Sequence, residues 1–198
     1  VYRSLRHCKS LQRLNLDQRF EELYRQLEPD VGMINICPYT ATRLDFQGEE
    51  EYLFDYHQDY HYIQLSQNSI VYWIPLSPLD RDGAVEILEG SHKDGLRRAR
   101  MLDPENLKKN GTGTLSIRDD VDIEKYASVA PKLNLGDVLI FSTLTIHRSL
   151  PQTEHFFRVS TQFRMGDFNN LDSIKRGWPV GQLEGRPFHL DHSEYVDQ

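Results

Sequence analysis

Short apolar segments separated by turn-forming residues are the feature of this chain that most limits its possible folds. Beyond Pro29 the apolar residues recur at every second position, which is the period of a strand rather than of a helix. Turn signals such as Asp82-Gly83, Glu89-Gly90 and Asn110-Gly111 interrupt the pattern. Ten tyrosines and nine phenylalanines also favour strands. We therefore predict a mainly β protein with flanking helices, built as a sandwich, a barrel or a jelly roll.

The first segment, residues 1–28, is predicted to be helical. Four apolar residues follow one another at the 4, 3, 4 spacing of one helix face: Leu16, Phe20, Leu23 and Leu27. Asn15 stands three positions before Gln18, which is the spacing of a capping box. Pro29 ends the segment, because the residue before a proline avoids the helical region. We interpret the segment as an amphipathic brace that packs against a sheet.

Eight strands are predicted downstream of this brace. They cover residues 31–37, 41–46, 60–65, 69–75, 84–88, 114–117, 138–141 and 156–165. A charged stretch, 93–124, breaks the rhythm and is interpreted as a long excursion between strands, with a helical part over 104–110. Long loops on β scaffolds often carry function.

Charge and composition exclude several classes of protein. The 198 residues include 23 Lys and Arg against 30 Asp and Glu, so the formal net charge is −7, which argues against a nucleic-acid binder. No run of 18 or more apolar residues occurs, so we expect no membrane-spanning helix. The two cysteines, Cys8 and Cys37, favour a reducing compartment, and we predict a cytoplasmic protein. Because the chain begins with Val1 rather than Met, the lack of a signal-peptide pattern carries little weight here.

Three separated residues predict a metal site. His57 and Asp59 are two positions apart, so on a strand both side chains would point to one face. His147 follows another strand-like segment, and a neighbouring strand would bring its imidazole to the same point. Two histidines and one carboxylate form the face that holds non-haem Fe(II) with positions left open. We call these three residues the His-Asp-His triad. A His-x-Asp pair alone is a weak signal, because the chain contains eight histidines.

An arginine downstream of the triad strengthens the metal interpretation. Arg158 follows His147 by eleven residues, and a turn between strands can return such a residue to the metal. Arginine binds carboxylates through two parallel hydrogen bonds. Ser160 shares the same strand face and adds a hydroxyl. A carboxylate-bearing cosubstrate beside an iron site suggests 2-oxoglutarate.

Several ordered motifs between residues 31 and 166 resemble those of a known family. They are His57-Gln58-Asp59, the stretch from Gly83 to His92, Gly136-Asp137-Val138, His147, and Arg158-Val159-Ser160. Together they resemble the phytanoyl-CoA dioxygenase-like family of Fe(II)/2-oxoglutarate-dependent oxygenases. One departure is that Glu89 stands where this family usually has a proline before Gly-Ser-His, which affects the expected shape of that loop rather than the metal site.

The resemblance implies a double-stranded β-helix, that is, a jelly roll open at one end. We accordingly predict one oxygenase domain over 1–198. It comprises a helical brace (1–28), a jelly-roll core (31–166) with the inserted loop region (93–124), and a tail (167–198) that wraps the surface.

The resemblance also implies roles for individual residues. The His-Asp-His triad would bind Fe(II), and Arg158 with Ser160 would hold the distal carboxylate of 2-oxoglutarate. Trp73 resembles the aromatic residue near that carboxylate, and Ser149 resembles a hydroxyl near the other end of the cosubstrate. Molecular oxygen would be the second cosubstrate. The expected partner is a small-molecule substrate, not a nucleic acid or a membrane, and the oligomeric state stays open.

The implied reaction is oxidation of a small molecule with release of succinate and carbon dioxide. Family members that halogenate lack the carboxylate ligand, so the presence of Asp59 favours hydroxylation. Desaturation, ring closure and epimerisation use the same ligands and stay open. Two alternatives are a jelly-roll module that binds a small molecule without catalysis, and a cupin-type metalloenzyme that does not use 2-oxoglutarate. The spacing of Arg158 argues against the second alternative.

The remaining histidines are predicted to be structural or exposed. His61 is expected either on the pocket wall or at the surface, and His92 in a structural loop. Three further histidines are expected to be ordinary surface residues: His155, His189 and His192.

Other charged and aromatic residues can be interpreted either as structural residues or as parts of the site. The basic cluster Arg97–Arg100 is expected to be a solvated face, with contact to an anionic substrate group as the alternative. The acidic run around Asp119 is expected to be a solvated loop, because the ligand spacing of a calcium site is absent. Four residues are expected in the core, with the pocket wall as the alternative: Tyr39, Arg43, Tyr60 and Tyr62.

Overall fold

The structure is a computed structural model that describes residues 8–36, 41–101, 115–179, 188 and 192–197. The helices are α1 (Lys9–Asn15), α2 (Gln18–Leu27) and α3 (Leu171–Lys175). Short 3-10 turns lie at Glu50–Tyr52, Asp59–His61, Ser91–Asp94 and Ser193–Tyr195. The strands are β1 (Ile34–Ile36), β2 (Ala41–Phe46), β3 (Ile70–Pro75), β4 (Val85–Leu88), β5 (Ala99–Met101), β6 (Leu115–Ile117), β7 (Ser128–Val129), β8 (Leu139–Ser142), β9 (His147–Ser149), β10 (Phe157–Asp167) and β11 (Val196–Asp197).

The strands form three sheets around one long strand. The main sheet has the order β1-β10-β3-β8, and β2 also pairs with β10. A second antiparallel sheet has the order β7-β4-β9, and a small third sheet has the order β11-β5-β6. Strand β10, with 11 residues, pairs with β1 and β2 along one edge and with β3 along the other. The architecture is mainly β with flanking helices, and it confirms the predicted jelly roll.

The main sheet is a central layer because its two faces bury different sets of side chains. On one face Tyr72 of β3 stacks on Phe163 of β10, with ring centroids 4.8 Å apart. Phe20 of α2 packs on both rings at centroid distances of 4.9 and 5.0 Å. Helix α2 therefore packs on this face. On the other face Val71 and Trp73 pack against Val85 of the second sheet.

The start of the brace differs from its prediction. Helix α2 begins after Asp17, whose carboxylate accepts a hydrogen bond from the Arg19 backbone N–H, so Asp17 rather than Asn15 is the N-cap. Leu16 lies between the two helices and is 70% exposed, and Leu27 at the end of α2 is 50% exposed. Of the four residues predicted to form one apolar face, only Phe20 and Leu23 pack against the core.

Most predicted strands are present with ends shifted by one to three residues, but the strand predicted over 60–65 is wrong. The chain makes a 3-10 turn at Asp59–His61 instead. The side chain of Gln58 fixes this turn, because its amide donates to the carbonyls of Gly95 and Leu144 at 2.9 and 2.6 Å. The same side chain accepts from the Arg97 backbone N–H at 2.7 Å. The helix predicted over 104–110 lies outside the described residues, as do Cys37 and Thr114 at the ends of two predicted strands.

A few described residues of the tail are buried, whereas Phe168, Leu171 and Ile174 are exposed. Phe188 and Val196 are 3% and 6% exposed and belong to a core cluster with Tyr60. His192 is 1% exposed, so its prediction as a surface residue is wrong. His189 lies outside the described residues. Among the helices that the structure describes, none has both the length and the apolar composition needed to cross a bilayer. The division of the chain into one domain with four parts stays a prediction.

Candidate active site

A main-chain bridge brings the two histidines of the triad together. The backbone N–H of His57 donates to the carbonyl of His147 at 3.0 Å, and the reciprocal bond has the same length. This hydrogen-bonded antiparallel pair places both side chains on one side of the bridge. Their ring centroids are 4.2 Å apart. Residues separated by ninety positions thus become direct neighbours through the register of two backbone segments.

Asp59 reaches the same point by a route that differs from the prediction. It was expected to follow His57 on a strand, but it is the first residue of the 3-10 turn. Gln58 between them is extended, with φ −111° and ψ 135°, so the alternation of side chains holds for this one step. One donor atom from each member of the triad lies within 4.8 Å of the other two, and all three residues are buried. The structure therefore brings the predicted triad together.

Both imidazoles of the triad present Nε2 to the Asp59 carboxylate. Nδ1 of His57 lies 2.7 Å from the Asp55 carbonyl, and Nδ1 of His147 lies 2.9 Å from the Thr145 carbonyl. A carbonyl can only accept, so each Nδ1 carries a proton and Nε2 is the ring nitrogen that faces the other two residues of the triad. Burial, followed by the proximity of His57, lowers the pKa of His147 to about 3. Neutral rings oriented through their second nitrogen are the form in which histidine binds a metal.

The carboxylate of Asp59 has two different environments for its two oxygens. Arg164 of β10 donates to Oδ2 from Nε at 2.9 Å and from Nη2 at 2.5 Å. Oδ1 instead faces Nε2 of His57 at 3.5 Å and Nε2 of His147 at 3.7 Å. Burial raises the pKa of Asp59, but the Arg164 guanidinium and the two imidazoles outweigh it and hold this pKa well below its ordinary value. The residue is therefore a carboxylate at neutral pH.

The donor set fits a divalent transition metal of the non-haem iron type. Ligands with bonds of about 2.1 Å lie roughly 3.0 to 3.4 Å apart at octahedral to tetrahedral angles. The two distances from Asp59 Oδ1 exceed that range by only a few tenths of an ångström. Two imidazoles and one carboxylate are the 2-His-1-carboxylate set, which leaves positions open for other ligands.

A cavity of about 140 Å³ lies beside the triad, between the main sheet and the second sheet. This volume is small compared with the 300–1,000 Å³ of typical pockets for drug-sized ligands, so it suits a small acid. The four residues predicted for cosubstrate binding all line the cavity: Trp73, Ser149, Arg158 and Ser160. The structure thus groups the four residues around one space, and their roles in cosubstrate binding stay a prediction.

The guanidinium of Arg158 belongs to a buried cluster of charges. Its Nε and Nη2 donate to Oδ2 of Asp45 at 3.2 and 3.0 Å, and Nη1 lies 3.4 Å from the Gln152 side-chain oxygen. Arg43 donates to the other oxygen of Asp45, with its Nη2 at 2.8 Å. Arg158 is 2% exposed, and burial lowers its pKa from the ordinary value. Two arginines thus share one carboxylate, and all three residues line the cavity.

The pocket wall contains some of the residues predicted for the core. Arg43 and Tyr62 line the cavity, so the pocket alternative holds for them. Tyr60 packs in a separate core cluster, as the structural prediction states. Tyr39 lies outside the described residues.

His61 is a structural residue rather than a third histidine of the site. It is 2% exposed, which excludes the surface. Its Nδ1 accepts from the Gln58 backbone N–H at 3.5 Å, and Nε2 donates to the Arg97 carbonyl at 3.1 Å. Both ring nitrogens are thus engaged with the backbone.

The remaining predicted residues lie in surface contacts. His92 is exposed in the turn after β4, and His155 is partly exposed. Arg97 pairs with Asp94 at 2.5 Å, and Arg100 pairs with Asp119 at 3.3 Å. The cluster is only partly a solvated face, because Arg98 is exposed whereas Arg97 and Arg100 are half-buried.

The sequence analysis missed three polar residues that line the cavity. Gln162 and Arg164 continue the alternation that begins with Arg158 and Ser160, so the period of two was the signal that could have revealed them. Asp45 had no such signal, because its position opposite Arg158 depends on the register between β2 and β10.

Fold and site together define the class of the protein: a jelly roll whose two sheets enclose a buried 2-His-1-carboxylate cluster. Comparison with protein families is more specific. The family model described as Phytanoyl-CoA dioxygenase (PhyH) matches residues 39–160. The chain belongs to the phytanoyl-CoA dioxygenase family, which confirms the resemblance drawn from its motifs.

Two curated relatives carry the same name. The chain is 34% identical over 106 residues to the 1-deoxypentalenic acid 11-beta-hydroxylase of Streptomyces arenae, a match that covers 52% of this chain and 36% of the relative. It is 31% identical to the enzyme of that name from Streptomyces exfoliatus over the same shares of both chains. The match thus spans little more than a third of the relatives' length.

Solved structures share the fold at low sequence identity. EvdO2 from Micromonospora carbonacea var. aurantiaca is 18% identical, with a TM-score of 0.58 over 96% of this chain and 70% of that chain. The non-heme alpha ketoglutarate dependent carbocyclase SnoK from nogalamycin biosynthesis is 19% identical, with a TM-score of 0.57 over 90% of this chain and 69% of that one. The epimerase SnoN, solved with Fe3+, alpha ketoglutarate and nogalamycin RO, is 18% identical, with a TM-score of 0.58 over 79% and 58%. These similarities establish the fold.

Proposed function

We propose that this chain is an Fe(II)- and 2-oxoglutarate-dependent dioxygenase that hydroxylates a small organic molecule. The observation that carries the proposal is the convergence of His57, Asp59 and His147 within 4.8 Å, beside a cavity that also holds a buried arginine. Family membership and the names of the two curated relatives support hydroxylation as the reaction. When bound, Fe(II) activates dioxygen, so that 2-oxoglutarate is oxidatively decarboxylated to succinate and carbon dioxide while the substrate is oxidised.

The triad would hold the metal through three defined atoms. Nε2 of His57, Nε2 of His147 and Oδ1 of Asp59 are the donors that face one another. Hydrogen bonds from each Nδ1 to a backbone carbonyl fix the rings in the orientation that binding needs. Because Asp59 keeps its charge, the three ligands contribute one negative charge and leave the remaining positions to cosubstrate and oxygen.

Arg158 would bind the distal carboxylate of 2-oxoglutarate. Asp45 occupies one edge of the guanidinium through Nε and Nη2, whereas Nη1 has only a long contact of 3.4 Å with Gln152. That end of the group is therefore available to an incoming carboxylate, with the Ser160 hydroxyl on the same strand face. Trp73 and Ser149 would form the walls beside the cosubstrate.

The location and the partner follow from more general features. A small-molecule substrate is supported by the names of the two curated relatives. A cytoplasmic location is supported by the low cysteine content, with two cysteines in 198 residues.

The test combines binding and turnover. Anaerobic addition of Fe(II) and 2-oxoglutarate should produce the visible charge-transfer absorption of a chelated 2-oxo acid, and admission of air with ascorbate should yield succinate. His57→Ala and Asp59→Ala should abolish both signals, whereas His92→Ala, in an exposed turn, should leave them unchanged. Full succinate formation by either triad variant would refute the assigned ligands.

The same experiment separates the two alternative functions. Binding of neither Fe(II) nor 2-oxoglutarate, measured by metal analysis and thermal shift, would indicate a non-catalytic binding module. Binding of the metal without 2-oxoglutarate would indicate a cupin-type metalloenzyme. Product analysis with a substrate then distinguishes hydroxylation from desaturation, ring closure and epimerisation.

A further inference from the structure

Arg164 is a buried arginine beside the triad to which the proposed mechanism assigns no ligand. It lies on β10, lines the cavity and is 2% exposed. Along β10 it stands on the same face as Arg158, six residues away, which corresponds to about 20 Å between the two Cα atoms. Two arginines thus project toward one cavity from opposite ends of one strand face.

One edge of the Arg164 guanidinium selects the oxygen that Asp59 can offer to a metal. Nε and Nη2 both donate to Oδ2, at 2.9 and 2.5 Å. Oδ1 remains directed toward the two imidazoles. A carboxylate held in this way binds a metal through one oxygen, which keeps a coordination position open for another ligand.

The other end of the guanidinium has an unused donor. Nη1 is buried, and within the part of the chain that the structure describes it has no hydrogen-bond acceptor. A buried charged N–H without a partner is costly, so native proteins rarely retain one unless a ligand supplies the acceptor. Because Arg164 lines the cavity beside the triad, a molecule that binds there can supply the missing acceptor.

The geometry points to a second role for Arg164: it positions Asp59, and through Nη1 it binds the carboxylate that a 2-oxo acid places next to the metal. This inference rests on the proposed function. An ionised carboxylate is the acceptor that a buried guanidinium prefers, because charge-assisted hydrogen bonds are the strongest available. Arg158 and Arg164 would then divide the cosubstrate between them, the first binding its distal end and the second its 2-oxo acid end. A carboxylate of the substrate is the other possible source, and the test separates the two.

The test measures binding of two acids to protein saturated with Ni(II), without air and without turnover. 2-Oxoglutarate carries both carboxylates, whereas 2-oxobutyrate carries only the 2-oxo acid end. In the natural chain 2-oxoglutarate should bind more tightly than 2-oxobutyrate. Arg158→Ala should remove most of that difference in affinity. Its affinity for 2-oxobutyrate should stay within about twofold of the natural chain's. Arg164→Met should lower the affinity for each acid at least tenfold and leave the ratio of the two affinities unchanged.

A metal titration without any acid reports the positioning role separately. Arg164→Met should lower the affinity for Ni(II) about 10- to 100-fold, as loss of a group that orients a ligand typically does. Arg164→Lys keeps a cation beside Asp59, so its metal affinity should stay within about threefold of the natural chain. Its affinity for 2-oxobutyrate should still fall at least fivefold, because an ammonium cannot serve two carboxylates with the fixed fork of a guanidinium.

Several outcomes would overturn the inference. Unchanged 2-oxobutyrate affinity in Arg164→Met at saturating metal would remove the contact with the 2-oxo acid, and it would leave a substrate carboxylate or a water as the partner of Nη1. Full recovery of both affinities in Arg164→Lys would show that charge alone is required. Failure of the natural chain to bind any 2-oxo acid would instead contradict the proposed function.

Discussion

Arg158 and Asp45 face each other across the ladder between β10 and β2, and two hydrogen bonds join the guanidinium to a single carboxylate oxygen. Directly opposed side chains on one sheet face are the closest neighbours that a β structure provides. Arg43 holds the other oxygen of the same carboxylate. Asp45 is therefore the group that orients Arg158 toward the cavity.

This relationship predicts how two substitutions affect cosubstrate binding. Arg158→Ala should lower the affinity for 2-oxoglutarate about 10- to 100-fold, since a hydrogen bond to a charged group contributes about 1.5–3 kcal/mol. Asp45→Asn should weaken it about three- to tenfold, because a neutral amide holds the guanidinium less firmly. Calorimetric titration of the metal-loaded protein measures both. Arg81→Ala, at an exposed ion pair with Glu154, is the matched control. Tighter binding in Asp45→Asn would show that Asp45 competes with the cosubstrate instead.

Both ring nitrogens of His61 form hydrogen bonds with the backbone, so we expect that metal binding does not require this residue. His61→Ala should leave the affinity for Ni(II) within about twofold, because its ring presents no free lone pair to the site. It should lower the melting temperature, since the substitution leaves buried backbone groups unpaired at a cost of about 1–3 kcal/mol. His57→Ala tested in parallel should show a large loss of metal affinity. Equal losses in the two variants would contradict the assignment of the triad.

Two residues that the sequence pattern assigned to one helix face should contribute unequally to stability, because only one of them packs against the sheet. Phe20→Ala should lower the free energy of unfolding by about 3 kcal/mol, because the ring contacts Tyr72 and Phe163. Leu16→Ala should change it by less than about 0.5 kcal/mol, because Leu16 is 70% exposed. Urea unfolding followed by fluorescence gives both values. A large effect of Leu16→Ala would mean that the interhelix segment packs against the sheet.

Asp80 predicts an acid-sensitive contribution to stability. Its carboxylate accepts hydrogen bonds from the backbone N–H groups of Thr153, Glu154 and His155, at 2.5, 3.1 and 3.1 Å. Burial raises the pKa of Asp80, but these donors outweigh it and hold the pKa below the ordinary value. The unfolded chain therefore takes up the proton at a higher pH than the folded protein. The stabilisation is complete above about pH 4 and is lost as the pH falls through the folded pKa.

Replacement of Asp80 tests this dependence directly. Asp80→Asn should lower the free energy of unfolding by about 1–3 kcal/mol at pH 7, and the difference from the natural chain should shrink below pH 4. Asp82→Asn, at an exposed neighbouring position, should show little difference at any pH. A constant difference for Asp80→Asn across the range would exclude ionisation as the cause. Urea unfolding at a series of pH values measures the effect.

The alternation of side chains along β10 could be predicted from the sequence. Alternation along this strand separates the apolar face that meets helix α2 from the polar face that lines the cavity. The sequence could therefore place Arg158 and Ser160 on one face of the strand. The same rule failed at 60–65, where apolar and aromatic residues suggested a strand. There the side chain of Gln58 bonds to distant carbonyls, and these tertiary contacts outweigh the local preference.

By itself the sequence determined the mainly β architecture, the position of most strands and the membership of the triad, because these depend on periodicity and on a few residue types at characteristic separations. Only the tertiary structure decided the partners of those residues. Arg164 meets Asp59 across 105 positions, and Asp45 meets Arg158 across 113. Such pairs are set by the register between strands and by the packing of two sheets. Neither quantity is encoded in the local pattern of a single segment.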